Sequence, residues 1–244
     1  MAASSGSSQL DSLEGRVIAL AGAGGNLGPT VVRRLASTGA QLALAGRTLE
    51  PLDKLAEQAG GKIDTQALDL LDTEAARGWA DGVAERLGAV DGLVHMVGGW
   101  RGGSPIEKAP LEDWDYLEPL LIRTLVHATQ SLAPHLLASG RGRVVVISAG
   151  QAQAPTHPNA LYAAAKAAAE TWTLALADRF RGTGCTANLV VVGSIVTPAM
   201  REESPDKDFS TFTPAEEIAE AVAYLSSDAA ASMNGQRLTL RGAS

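Results

Sequence analysis

The chain has 244 residues, of which 45% are hydrophobic and 19% charged, with a formal net charge of −7. This length suffices for one buried core, and an acidic chain without a concentrated basic run disfavours nucleic-acid and anionic-membrane partners. The single cysteine, Cys185, excludes an internal disulfide framework, and the histidines lack a metal-ligating spacing. We therefore expect no metal site and a cytoplasmic location.

The first twelve residues are rich in Ala, Ser and Gly and lack the basic start and apolar core of a signal peptide. We expect residues 1–12 to form a disordered tail and residues 13–244 to form one domain. No apolar stretch reaches the length of about 18 residues that a membrane span requires.

Apolar runs typical of strands alternate with segments of helical spacing along the rest of the chain. Strands that are apolar on both faces and followed by helices predict an α/β, doubly wound parallel sheet with helices on both faces. A polar, proline-containing stretch at 200–213 is expected to be irregular and to form a substrate lid. Strands are predicted at 16–21, 41–45, 65–68, 92–97, 143–148, 186–192 and 236–240, and helices at 27–38, 49–58, 73–87, 111–138, 159–181 and 216–226.

A glycine-rich loop joins the first predicted strand to the first predicted helix. Glycines let the backbone turn tightly and approach a pyrophosphate, and the helix N-terminus supplies free N–H groups and a positive dipole end. A plain glycine-rich turn would show the same residues, but the strand–loop–helix context favours nucleotide binding. The residues expected to contact the nucleotide here are Gly22, Gly24, Gly25, Asn26, Leu27 and Gly28.

The second and third strands are followed by candidate contacts to the adenosine half of a dinucleotide. Gly46 and Arg47 stand where an acidic residue would bind a ribose 2′-hydroxyl, so Arg47, with Thr48, favours the 2′-phosphate of NADP over NAD. Asp69 and Leu70 would contact the adenine, although Asp69 could equally cap a helix or lie on the surface.

Tyr162 and Lys166 are four residues apart in the predicted helix 159–181 and therefore share one helical face. A nearby ammonium lowers the pKa of a phenol, so we expect Lys166 to lower the pKa of Tyr162. Tyr162 could then exchange a proton with an alkoxide or alcohol.

These motifs together resemble the short-chain dehydrogenase/reductase family, and the resemblance extends from about residue 13 to the end of the chain. It implies a Rossmann-type single domain and a nicotinamide loop at Gly193, Ile195 and Thr197, and Val97 and Gly98 follow the fourth strand in the family's cofactor-binding segment. Lys166 would also hold the nicotinamide ribose. The family assembles into oligomers, and the small and apolar residues of helices 111–138 and 159–181 likewise favour a homodimer or homotetramer.

The chain departs from the family pattern at two relay positions. Leu121 aligns with the asparagine that bends the fourth helix around a water and relays a proton, and we expect leucine to do neither. The spacing to Tyr162 places the family's catalytic serine at Ala149, although a one-residue loop insertion could bring Ser148 into that role.

Substrate contacts are expected in the loops, with Trp100, Gln151 and Met200 as candidates. The loops around Trp100 and 197–214 resemble those of the quinoid dihydropteridine reductases, in which Tyr and Lys act without the usual Ser. Three hypotheses follow: an NADPH-dependent reductase of a small carbonyl, imine or quinonoid compound, a dihydropteridine reductase-like enzyme, or a nucleotide-binding or partner subunit with reduced catalysis.

Overall fold

The computed structural model describes residues 12–242, so the predicted disordered tail, apart from Ser12, lies outside the described residues. Seven parallel strands form one sheet in the order β3-β2-β1-β4-β5-β6-β9, and β7 pairs with β8 apart from it. This confirms the predicted doubly wound parallel sheet. The strands are β1 (Val17–Ala21), β2 (Gln41–Gly46), β3 (Ile63–Ala67), β4 (Gly92–His95), β5 (Arg143–Ala149), β6 (Thr186–Val192), β7 (Ile195–Val196), β8 (Thr213–Pro214) and β9 (Arg237–Thr239).

Helices cover both faces of the sheet because the central strands are apolar on both sides. In β1, Ile18 and Leu20 pack into one core cluster, whereas Val17 and Ala19 pack into the other. Helices α1, α2 and α8 cover the first face, and α3, α5 and α6 cover the second. The helices are α1 (Gly28–Ser37), α2 (Leu49–Ala59), α3 (Thr73–Leu87), α4 (Leu111–Glu118), α5 (Thr124–Ser139), α6 (Ala160–Arg179), α7 (Pro198–Glu203) and α8 (Ala215–Ser226).

The direction of chain connection reverses at β1, which lies between β2 and β4. Ala21 at the end of β1 is in register with Ala45 of β2 and His95 of β4. In open α/β sheets, the crevice at the carboxyl ends of the strands beside such a reversal is the usual ligand site.

The long helix predicted at 111–138 is interrupted by a π-helical turn, Pro119–Arg123. The N–H of Thr124 bonds the carbonyl of Pro119, and the Thr124 hydroxyl donates to the carbonyl of Leu120 at 2.7 Å. The backbone is therefore widened at Leu121, but the widening does not arise from that side chain, which is buried and supplies no polar group.

The segment 200–213, expected to be irregular, begins with part of α7. Pro198 suits the first helical turn, and the Thr197 hydroxyl accepts the N–H of Met200 at 3.3 Å as an N-cap. The cap at Thr197 and the proline at the helix start thus extend helical structure into a stretch whose polarity predicted irregular backbone.

Candidate active site

A cavity of about 1510 Å³ runs along the carboxyl ends of the strands. It brings together loops that are far apart in the chain, from the glycine-rich loop after β1 to the segment after β6. Three predicted site residues, Gly28, Thr197 and Met200, are not among its lining residues. The predicted residues that line it are Gly22, Gly24, Gly25, Asn26, Leu27, Arg47, Thr48, Asp69, Leu70, Val97, Gly98, Trp100, Ser148, Gln151, Tyr162, Lys166, Gly193 and Ile195.

The glycine-rich loop requires glycine at two of its positions. Gly22 has a φ of 83°, and a Cβ atom there would lie 2.8 Å from the Val97 nitrogen. A Cβ atom on Gly28 would lie 1.8 Å from the Ala23 carbonyl oxygen. The loop therefore packs its own backbone closely and leaves the start of α1, which has no acidic residue in its first turn, facing the crevice. This geometry fits a dinucleotide pyrophosphate.

Arg47 and Thr48 line the cavity immediately beyond β2. Asp69 lies beyond β3, where one carboxylate oxygen accepts the Leu71 N–H at 2.9 Å. Asp72 is the residue that caps α3. Asp69 thus stabilises a local turn at the cavity edge and does not cap the helix.

Tyr162 and Lys166 project from the first two turns of α6 into the same cavity. The Lys166 ammonium is buried and donates to the Ile147 carbonyl oxygen at 3.0 Å. Burial lowers the pKa of Lys166 to about 8, while the negative charge of Glu170 acts in the opposite direction. Burial raises the pKa of Tyr162 above its usual value, because the phenolate would lose its hydration, so the expected lowering by Lys166 is wrong.

Ser148, at the end of β5, lines the cavity but is almost fully buried. Its hydroxyl donates to Oε1 of Glu170 at 2.7 Å, and both side chains are buried. The single hydroxyl proton is therefore committed to Glu170 and is not available to a substrate. Ala149 follows Ser148 in the strand and carries no hydroxyl, so the catalytic role expected for Ser148 does not match this geometry.

Glu170, a residue not predicted from the sequence, is buried behind the cavity lining. Besides Ser148, it accepts from Nε2 of Gln153 at 3.3 Å and pairs with Nε of Arg237 at 2.6 Å. Its position four residues after Lys166 and eight after Tyr162, on the same helical face, was the available signal. Glu170 connects the catalytic helix to β5, to the loop after it and to β9.

His95 was also missed as a neighbour of Lys166. It is buried at the end of β4, and its Nε2 lies 3.2 Å from the hydroxyl of Thr124. Burial and the charge of Lys166 lower the pKa of His95 to about 3, so the imidazole is neutral. A neutral hydrogen-bonded pair, His95 and Thr124, thus occupies the region where Leu121 supplies no polar group.

Of the three residues expected to contact the substrate, Trp100 and Gln151 line the cavity and Met200 does not. Trp100 lines the cavity with its ring 59% exposed, and its Nε1 donates to Oδ1 of Asn159 at 3.2 Å. Gln151 also lines the cavity, but its Oε1 accepts from the N–H and hydroxyl of Thr156. Met200 lies in α7, away from the cavity lining, where its N–H is capped by Thr197.

Two residues missed by the sequence argument, Asp115 and Tyr116 of α4, complete the cavity beside Trp100. No helix in residues 12–242 combines the length and apolarity needed to cross a membrane.

The family model described as short chain dehydrogenase matches residues 16–208. Gluconate 5-dehydrogenase of Gluconobacter oxydans is 30% identical to the chain, covering 96% of each protein. D-threitol dehydrogenase of Mycolicibacterium smegmatis is 28% identical, covering 94% of this chain and 93% of its own. The solved structure of a Burkholderia cenocepacia gluconate 5-dehydrogenase with NADP and tartrate has a TM-score of 0.85 and 27% identity, with 95% and 96% coverage.

Proposed function

The chain belongs to the short-chain dehydrogenase/reductase family and is an NAD(P)-dependent oxidoreductase, and on that premise we propose that it reduces a small carbonyl, imine or quinonoid compound with NADPH. The observation that carries this proposal is the shared cavity of the glycine-rich loop, Tyr162 and Lys166. When bound, the nicotinamide supplies the hydride, and the chain must supply orientation and one proton.

Tyr162 is the proposed proton donor. Because burial raises the pKa of its phenol, Tyr162 is protonated at neutral pH. A protonated phenol can donate to the oxygen or nitrogen that becomes basic as hydride arrives.

Lys166 is the proposed partner of both the cofactor and Tyr162. Its ammonium is held by the Ile147 carbonyl, at the floor of the cavity. From there a positive charge stabilises the phenolate that remains after proton donation, and the ammonium can bind the ribose hydroxyls of the nicotinamide half. Both functions require the charged form of Lys166.

Arg47 supports NADPH as the preferred cofactor. The cavity beyond β2 presents its guanidinium and the Thr48 hydroxyl, a donor pair suited to a 2′-phosphate. The solved Burkholderia relative was obtained with NADP, which agrees with this preference.

The two named relatives act on different kinds of compound and so do not select a substrate. One acts on gluconate, a carboxylate, and another on D-threitol, a neutral polyol. The substrate of this chain must therefore be inferred from its own cavity. The local loop resemblance keeps a quinonoid dihydropteridine among the compounds to be assayed.

One observation favours the alternative of a nucleotide-binding or partner subunit with little turnover. The Ser148 hydroxyl is committed to Glu170, so no serine supports Tyr162 from β5. A substrate that is already electrophilic, such as an imine or a quinonoid ring, makes less demand on such support. The reductase and subunit proposals therefore differ in what a substrate panel should show.

We also propose that the chain is a cytoplasmic homodimer or homotetramer. Apolar side chains of α6, including Trp172 and Leu174, are only partly buried. Packing between copies would remove that surface from water. Sedimentation analysis of the purified chain gives its mass, and a monomer across all concentrations would contradict this assembly.

The decisive experiment measures NADPH oxidation with a panel of ketones, imines, quinones and a quinonoid dihydropteridine. We expect turnover of at least one compound, and Tyr162→Phe should lower kcat by about 100-fold or more with NADPH binding retained. Tyr224→Phe, at an exposed position of α8, is the matched control. NADPH binding without oxidation of any compound would support the subunit instead, and an active Tyr162→Phe enzyme would refute the proton-donor assignment.

A further inference from the structure

Resting on the proposed function, we propose that the substrate is a flat compound that is neutral or positively charged, and that the cavity rejects anions. The substrate end of the cavity is the part that surrounds Tyr162, and it is defined by Trp100, Asp115, Tyr116, Leu120 and Asn159. These residues come from the loop after β4, from α4, from the π-helical turn and from the start of α6.

Trp100 is fixed in place as one wall of the substrate end. Its indole N–H donates to Asn159, and the backbone of Gly103 donates to the Pro158 carbonyl at 2.7 Å. A Cβ atom on Gly102 would lie 2.7 Å from Oδ1 of Asn159 and 3.2 Å from the Trp100 ring. The loop therefore packs tightly behind an indole that is still 59% exposed. A rigid, exposed aromatic ring suits stacking against a flat partner at low entropic cost.

Tyr116 supplies a second aromatic surface, and a cation already lies over its ring. Its ring is 42% exposed, and the Arg101 guanidinium carbon lies 4.7 Å from its centroid. A Cβ atom on Gly99 would lie 2.7 Å from the Tyr116 hydroxyl, so the loop after β4 also fixes this side chain. Aromatic faces attract cations and offer nothing to anions.

The charged side chains of the cavity are divided between its adenosine end and its substrate end. Four charged side chains line it within the described residues: Arg47, Asp69, Asp115 and Lys166. Arg47 and Asp69 lie beyond β2 and β3, at the adenosine end, and Lys166 is buried against Ile147. Asp115 is therefore the charged group exposed at the substrate end.

An anionic substrate would meet two costs at this end. Its carboxylate or phosphate would lose water without gaining a cation of its own, because Lys166 is held by the Ile147 carbonyl and assigned to the nicotinamide ribose. It would also lie near the Asp115 carboxylate. The nearby cation, Arg101, is not a lining residue and is engaged on Tyr116, so an anion would have to draw it from the ring. A neutral ring meets neither cost, and an ammonium group gains Asp115 as a partner.

The test compares three aromatic ketones of one shape: acetophenone, its 4-carboxylate and its 4-aminomethyl derivative. We expect kcat/KM for the neutral and cationic ketones to exceed that for the carboxylate by about tenfold or more. Binding of the same three compounds to the NADPH-loaded protein, measured by calorimetry, should follow the same order. If the carboxylate is reduced or bound as well as the others, the inference is overturned.

Variants separate the contributions of the walls and the charge. Asp115→Asn should lower the preference for the cationic over the neutral ketone by about fivefold, and Asp113→Asn on the same helix should leave that ratio unchanged. Trp100→Ala should weaken the binding of acetophenone more than the binding of the non-planar cyclohexyl methyl ketone. Equal losses for both ketones would refute stacking.

The two proposals fail in distinguishable ways. If the three ketones bind in the expected order of affinity but none supports NADPH oxidation, the proposed reductase activity is refuted and the inferred substrate class is retained. If NADPH is oxidised and the carboxylate is the preferred ketone, the reductase activity is retained and the inferred substrate class is refuted. Arg101→Ala would then show whether Arg101 leaves the Tyr116 ring to bind the carboxylate. Failure of all three compounds to bind the NADPH-loaded protein would overturn the inferred class.

Discussion

Ser148 donates its hydroxyl proton to Glu170 across 2.7 Å, and this bond ties the end of β5 to the helix that carries Tyr162 and Lys166. Glu170 also bonds Gln153 and Arg237, so one buried carboxylate joins four separate segments. Buried carboxylates are stable only when such partners satisfy them. We infer that Ser148 and Glu170 position the catalytic pair and do not contact the substrate.

Replacement of Ser148 by Ala should leave kcat/KM within about threefold of the wild-type value, because the hydroxyl faces Glu170. The free energy of unfolding should fall by about 1–2 kcal/mol, the usual net loss for one buried hydrogen bond. Steady-state kinetics and thermal denaturation measure the two effects. A loss of kcat by about 100-fold in a normally folded variant would restore Ser148 to the catalytic set.

The activity of the wild-type enzyme should fall as pH rises through the pKa of Lys166, about 8. Reduction uses the ammonium form, which predominates below that pH. Of the other groups near Lys166, His95 is neutral and Tyr162 has a raised pKa. Glu170→Gln removes the charge that raises the pKa of Lys166, so the alkaline decline should move to lower pH.

Arg237→Gln provides a matched variant with the opposite expected sign. It removes the cation that pairs with Glu170, so the carboxylate should act more strongly on Lys166 and move the decline to higher pH. The pH dependence of kcat/KM measures both shifts. If both variants lower activity without moving the profile, Glu170 has only a structural role.

The fold was predictable because the relevant signals are local and repeated. The strand at 186–192 and the helix at 73–87 match the observed β6 and α3, since apolar runs and helical spacing arise from burial on a sheet. The glycine-rich loop and the Tyr162–Lys166 spacing could be placed in one cavity for the same reason. Strand order in such folds follows from connection rules.

What could not be predicted depends on contacts between distant segments. The π-helical turn, in which the Thr124 N–H bonds the Pro119 carbonyl five residues earlier, leaves no signal in the periodicity of the sequence. The orientation of Ser148 depends on Glu170, which is 22 residues away. The raised pKa of Tyr162 depends on burial, which only the packed structure shows. Each of these three features is decided by packing in the folded protein and not by the local sequence pattern.

Arg47→Ala should raise the KM for NADPH by about 10- to 100-fold, the cost of losing a charge-assisted contact to a 2′-phosphate. The KM for NADH should change little, because NADH lacks that phosphate. Arg33→Ala, at an exposed position of α1, is the matched control. Equal effects of Arg47→Ala on the two cofactors would contradict the assigned contact, and a wild-type preference for NADH would contradict the proposed cofactor.

Lys166 should cost stability at neutral pH, because the folded protein holds a buried ammonium that the unfolded chain exposes to water. Its pKa falls from 10.5 to about 8 on folding, so between these values the unfolded chain binds more protons and stability rises with pH. A shift of this size corresponds to about 3 kcal/mol below pH 8.

Lys166→Met should therefore be inactive yet more stable than the wild type at pH 7, by about 1–3 kcal/mol after loss of the bond to Ile147. It should also lack the rise in stability above pH 8. Thermal denaturation across this pH range measures both properties, with Lys54→Met, at an exposed position of α2, as the control. A variant that is less stable than the wild type throughout would show that the ammonium stabilises the fold, and the trade of stability for catalysis at Lys166 would be refuted.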